Sequence, residues 1–485
     1  MKRGISLLLA LIILTGTVSC GSETPDVGDT SSGSGDTTSD TPTGTTAPDY
    51  DWQDLDLGGA KLSILNSSTE WGFYHTLDLG AETGDTLDDA VYRRNSLLED
   101  RYNFEFDVTD YSINEAPDFL RKSILTGDDE YQCAFLRGEL LPKMISEKLF
   151  VDLTSVPELR LEEDYWDQSL NSAARLGKDD VQYFAGTDFS LLRFGATVGV
   201  YFNKDKFDAL KIDYPYDTVR EGRWTLDRFG ELAAQGANLN GDANWKFDQL
   251  GNADYGFSTW YCGISGMLFG TGVSYIERDA GGTPRLSIEN DRFMTACAKI
   301  AGITSQEGVF IHLNDASANY ETEFGRGRLL MTIAQIKAST NLRSSEVPFG
   351  FLPMPKLDEE QAEYHCYQTP VSTFFVIPAT NQRVAETAAV MDAGAFLSAR
   401  DVLPVYYDVT VSQKGLRDED SIEMLNIVSA SRYTDVSRIF GWTIAIYDKI
   451  ENSLQNGKGD VASIIASLKE KTEKNIADTL EKLDV

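Results

Sequence analysis

Lys61-Leu62-Ser63-Ile64-Leu65-Asn66 alternates in the manner of a β-strand. It runs into the polar loop Ser67-Ser68-Thr69-Glu70 and then into Trp71-Gly72-Phe73-Tyr74. Open α/β sheets keep their ligands just past the C-terminal ends of strands. Trp71 and Tyr74 are therefore candidate ligand contacts. Asp85 or Thr86 can cap the helix that follows, with Leu87, Val91, Leu97 and Leu98 as an approximate apolar face and Arg93, Arg94 and Glu99 solvated. Phe104–Val108 is a second strand and Ala116–Leu125 a second helix. Tyr131–Leu136 and Leu140–Phe150 repeat the pair. Alternation on this scale predicts an α/β lobe.

Upstream of this lobe the chain carries export signals. Lys2 and Arg3 precede an apolar run from Ile5 to Leu14, too short to span a bilayer and right for the core of a signal peptide. Thr17-Val18-Ser19-Cys20 follows, small residues placed directly before a cysteine. This resembles a bacterial lipoprotein cleavage box, which implies loss of residues 1–19, diacylglycerol on Cys20 and a lipid-anchored location on the extracytoplasmic face of the membrane. Residues 20–50 are then a tether of Ser, Thr, Gly, Asp and Pro that cannot bury a core. No later segment has the run of about eighteen apolar residues that a transmembrane helix needs.

The formal net charge is −33. Nucleic-acid binding depends on Lys/Arg contacts to phosphates, so this balance argues against it. The charge reads mainly as a solvated surface. Besides Cys20 the cysteines are Cys133, Cys262, Cys297 and Cys366, with no CxxC pair and no His at ligand spacing. A disulfide such as Cys133–Cys366 is open to an exported protein, and buried free thiols are the default. His75, His312 and His365 are far apart and form no triad or HExxH pattern. No nucleophile elbow or phosphate-cradling glycine loop is found. Hence no catalytic residue, cofactor or metal is expected. The loop Asn238–Asn244 with Asp248 and Gln249 is similar to a calcium loop, yet Ala243 replaces the turn glycine and Gln249 the bidentate glutamate.

The stretch Gly256-Phe257-Ser258-Thr259-Trp260-Tyr261-Cys262-Gly263 sets two adjacent aromatics among polar neighbours, before an apolar run closed by Gly270-Thr271-Gly272. A ring face beside hydroxyls suits a sugar, whose C–H face is apolar and whose rim forms hydrogen bonds. A buried turn and helix is the structural alternative. Adjacent residues rarely face the same way, so one of Trp260 and Tyr261 packs behind the other. The closing helix, from Asp460 to about Leu483, presents Val461, Ile464, Ile465, Leu468, Ile476, Leu480 and Leu483 as a stripe expected to pack on a second lobe.

A family resemblance spans residues 60–400. Gly195-Ala196-Thr197-Val198-Gly199-Val200-Tyr201-Phe202-Asn203-Lys204-Asp205-Lys206-Phe207 resembles the segment of maltose-binding-type extracellular solute-binding proteins in which a strand ends in Tyr-Tyr-Asn-Lys-Asp and opens a helix. Phe202 departs from the usual Tyr. Trp224-Thr225-Leu226-Asp227-Arg228-Phe229, Phe324–Met331, the Pro-rich Val347–Lys356, Ser372–Pro378 and Arg383–Leu397 resemble further elements in the family's order. It is this shared order that carries the resemblance.

The resemblance implies a two-lobed α/β fold of the type II periplasmic-binding-protein kind, with residues 51–183 plus 365–405 in lobe 1 and 184–364 plus 406–485 in lobe 2. Chain crossings are expected near 184, 364 and 406. It implies a monomer that binds a carbohydrate between the lobes and serves the permease subunits of an ABC importer, without catalysis. Trp260 matches the family's sugar-stacking position; Arg137 and Asp188 match cleft positions able to make charge-assisted bonds to hydroxyls. Trp442 is a weaker candidate. Each has a structural alternative: core for Trp71 and Trp442, a surface pair for Arg137, a helix cap for Asp188. A surface-anchored glycoside hydrolase and a ligand-binding sensor component are the competing functions.

Overall fold

A computed structural model describes residues 50–67, 76–315, 318–342, 345–411 and 419–485. Cys20, the signal and tether segments, Trp71 and Tyr74 lie outside the described residues. From Tyr50 onward the chain is one compact unit built on two four-stranded sheets. The first sheet comprises β1 (Ala60–Ser67), β2 (Phe104–Tyr111) and β3 (Cys133–Arg137), all parallel. The second comprises β4 (Val198–Asn203), β5 (Tyr255–Thr259), β6 (Leu329–Gln335) and β7 (Phe349–Leu352) in the order β7-β4-β6-β5. The chain then returns to the first sheet as β8 (Thr373–Val376), antiparallel to β3, completing the order β8-β3-β1-β2.

Period-two patterning builds the first lobe. Cys133, Phe135 and Phe375 join the core on one face of the sheet, while Ala134, Leu136, Phe374 and Val376 join that on the other. The intervening helix Thr86–Tyr102 starts at Asp85, whose carboxylate accepts from the Leu87 and Asp88 N–H groups. It stops at Asn103, left-handed at φ 52°. Its inner face is Leu87, Val91, Arg94, Asn95 and Leu98, whereas Leu97 is exposed. Arg94, expected in solvent, is thus buried. It is affordable there because its guanidinium donates to the Phe189 and Leu77 carbonyls and to Ser398 Oγ at 2.9–3.1 Å. The expected 140–150 helix is shorter, Pro142–Ser146 after a 3₁₀ turn at Gly138–Leu140.

Core membership along the chain changes between Phe189 and Leu191, between Tyr367 and Phe374, and between Leu397 and Val402, while Leu87, Ala90 and Val91 of the first helix pack into the core of the second sheet. Within 406–485, which the resemblance assigns to lobe 2, Val436, Ile439, Phe440 and Trp442 share a core with Leu136 and Phe374 of the first sheet. The closing helix Val461–Leu483 is likewise shared: Val461 and Ile465 pack on the second lobe, Ile476 and Leu483 on the first. An apolar stripe reads the same whichever lobe covers it. A hairpin of Ile276–Arg278 and Pro284–Leu286 also reaches across, with Arg278 donating to the Ser172 carbonyl (3.2 Å) and pairing with Asp180 (3.1 Å).

Among the described residues no helix is long and apolar enough to cross a membrane. Cys133, Cys262, Cys297 and Cys366 are free and buried.

Candidate functional site

Ends of strands from the two sheets come within electrostatic reach of each other. In the first lobe β1 ends in buried Asn66 and Ser67, with Asn66 Nδ2 donating to Asp110 Oδ1 at 2.7 Å. Its neighbour β3 ends in Arg137, only 1% exposed, whose guanidinium pairs with exposed Glu139 at 2.9 Å. In the second lobe the parallel strands β5 and β6 end side by side, Ile333 opposite Thr259. β5 continues directly into Trp260 and the helix Tyr261–Gly270, and β6 ends in Gln335 and leads to Lys337.

A glycine makes the β5 turn possible. A Cβ at Gly263 would lie 1.8 Å from Thr259 Oγ1, the hydroxyl that donates to the Ile333 carbonyl at 2.7 Å. The helix can therefore start at once, with its N-terminus at the strand end.

Electrostatic coupling connects these ends. Burial holds the Arg137 guanidinium below its usual range, against the opposing pull of Glu139 and of Tyr261 and Cys262 from the other lobe. The Tyr261 phenol is raised, by Cys262 first, then by burial, with Glu139 also contributing. On the β6 side, burial lowers Lys337 and Glu321 opposes the shift. Arg137 is thus a buried cation, and the surface-pair alternative does not fit it.

Of the aromatic pair, Trp260 is the inner member. It is half-buried and stacks on Tyr320, ring centroids 5.4 Å apart and planes 11° from parallel. Tyr261 stands outward at 46% exposure. A polar hollow of about 540 Å³ lies along the helix that Tyr320 begins, lined in part by Asn319, Glu321, Thr322 and Asn341. Sequence reading missed Tyr320, Glu139 and Lys337. Their positions after β3 and around β6 were the available signal, but the Tyr320 stack is a tertiary fact.

Two expected site residues lie elsewhere. Asp188 is consumed by Arg432 in a two-pronged ion pair, 2.8 and 3.1 Å, where the chain crosses between lobes. Burial alone would raise its carboxyl, but Arg432 outweighs burial and holds it below the ordinary range. Around this pair the crossing segments are knitted together. Arg193 pairs with Asp167 and donates to Gln368 Oε1, which also accepts from Thr434 (2.8 Å). Ser190 meets Thr373 at 2.7 Å. Trp442 is a core residue, 1% exposed and stacked 4.5 Å from Phe440. The Asn238–Gln249 loop is closed by hydrogen bonds, Asp242 accepting from the N–H groups of Asn252 (2.7 Å) and Ala253 (2.8 Å).

No protein-family profile and no curated protein sequence matches the chain. Solved structures do. A galacto-N-biose/lacto-N-biose I-binding ABC transporter protein of Bifidobacterium longum, bound to lacto-N-biose, is 13% identical over 89% of this chain and 99% of its own, TM-score 0.55. An ABC substrate-binding protein of Listeria monocytogenes in complex with cycloalternan is 14% identical over 87% of this chain and 99% of its own, TM-score 0.54. A Mycobacterium tuberculosis protein bound to glycerophosphocholine is 14% identical over 83% and 98%, TM-score 0.54. The chain has the two-lobed type II fold of ABC-transporter solute-binding proteins.

Proposed function

We propose that this protein is a lipid-anchored, extracytoplasmic binding protein that captures a carbohydrate, of oligosaccharide size, between its lobes and hands it to the permease subunits of an ABC importer. The observation that carries the reading is the approach of two strand ends: Arg137 and Glu139 after β3 on one side, Tyr261 and Cys262 after β5 on the other, with Trp260 next to Tyr261. Aromatic faces beside buried charged and amide groups are the chemistry a sugar asks for. Several proteins of the same fold hold saccharides; one holds a glycerophosphodiester, so the aromatic supply is what favours a sugar here.

Contacts drawn from both lobes are all made only when the lobes approach, so a ligand favours the closed arrangement. The polar knot at the crossings supplies a fixed axis for that motion. Nothing is turned over: Arg137–Glu139 binds and orients. Export and acylation rest on the residues around Cys20, and the long acidic, polar tether gives the lobes reach from the membrane surface.

The test is a thermal-shift screen of the purified protein against mono- and oligosaccharides, in which a ligand of the native state raises the midpoint. Trp260→Ala should abolish the shift and leave the unliganded protein folded. Silence across all sugars with a response to peptides, or cleavage of an oligosaccharide panel, would overturn the proposal.

A further inference from the structure

Behind the aromatic cleft lies a buried acid that ligand contact does not use. Glu451 sits on the helix Ile444–Gln455 and is 7% exposed. Ser265 Oγ donates to its carboxyl, and Tyr447 Oη donates to Ser265 Oγ at 2.5 Å. Tyr447 meets Tyr367, in the crossing strand Cys366–Tyr367, at 3.3 Å. Arg438 lies over the Tyr447 ring at 4.2 Å and pairs with Asp448 at 3.5 Å. The spacing ties this chain to the cleft. Tyr447 and Glu451 are four apart on one helix, and Tyr261 and Ser265 four apart on the other, so each pair shares a face. Ser265 therefore lies one turn beneath Tyr261.

We infer that Glu451 is a positioning residue of the cleft: by holding Ser265 and Tyr447 together it fixes the aromatic end of the helix Tyr261–Gly270 against the crossing strand. The inference rests on the cleft proposed above. The carboxyl does this uncharged. Burial pushes it up to about 8, and Asp448 adds to the rise, while the Ser265 hydrogen bond and Arg438 oppose it. The other titratable groups around it are Cys262 and Tyr261 on the cleft helix, Tyr275 on the loop after it, and Tyr367 on the crossing strand. Asp435, buried beyond Arg438, is pushed up to about 6. None of these supplies a second cation to Glu451.

Opening of the cleft helix exposes Glu451 to water, where it ionises near pH 4.5, so opening becomes easier as pH rises. The test is hydrogen exchange of the 261–270 amides in the full, ligand-free chain, corrected for the intrinsic rise of exchange with pH. It needs no sugar, so its failure is separate from failure of the carbohydrate reading. Wild-type opening should rise roughly tenfold per pH unit between pH 5 and 7 and flatten near 8; in Glu451→Gln it should be nearly flat. Equal slopes in the two proteins would overturn the inference. Ser265→Ala provides a second arm, which keeps the carboxyl and cuts its link. It should lower protection of the same amides roughly tenfold at pH 6, with the 116–126 helix unchanged. Unaltered protection of 261–270 in that variant would equally overturn it.

Discussion

Asp188→Asn separates a hinge carboxylate from a ligand-binding one. The Asp188 and Arg432 side chains are 11% and 18% exposed and share two hydrogen bonds. Removing one partner of a buried pair leaves an uncompensated charge, on the order of 3–5 kcal/mol. Arg432 keeps some access to water, which places the expected loss near the lower end, about 3 kcal/mol. Urea unfolding of the ligand-free protein at pH 7 measures it, with an unchanged slope required for the comparison. Arg432→Gln in the Asp188→Asn background should cost far less than the sum of the two single changes, since neither charge is then stranded. The sign with pH follows from the lowered carboxyl of Asp188. The pair's stabilisation is complete above the unfolded carboxylate value, about 3.9, and is lost as pH falls through the lower folded value. The variant and wild type should therefore converge only in strong acid. A loss under about 1 kcal/mol at pH 7, with sugar binding abolished, would refute the hinge assignment and restore Asp188 to the cleft.

Two further substitutions test placement. Trp442→Ala should cost about 3–5 kcal/mol in the same unfolding assay, as for any fully buried large aromatic, whereas Trp260→Ala, half-buried, should cost about 1–2. Equal costs would mean that one of the two is misplaced. Gly263→Ala should destabilise by more than about 2 kcal/mol because its Cβ collides with Thr259 Oγ1, and Thr259→Ala in the same chain should recover part of the loss; an indifferent Gly263→Ala would show that the helix does not start so tightly on β5.

Local physics was legible in the sequence and long-range pairing was not. The alternation at Lys61–Asn66 and the cap at Asp85 each concern residues within a few positions of one another. Asp188 and Arg432 are 244 residues apart, and nothing near either announces the other. Arg94 shows the same limit within one helix. Its charge argued for solvent, while its place on the 87–91–94–98 stripe argued for the core, and distant carbonyls decided for the core. Trp260 and Tyr261 show why an aromatic pair does not rank itself. The resemblance favoured Trp260, but Tyr320 takes up part of that ring and leaves Tyr261 as the side chain with open surface. On the proposed function, a ligand between the lobes would meet Tyr261 first, and Trp260 through whatever edge and face Tyr320 leaves uncovered. Tyr261 is also the residue one turn above Ser265, so the ring that the proposed function exposes most to a sugar is the one that the inferred Glu451 contact would steady.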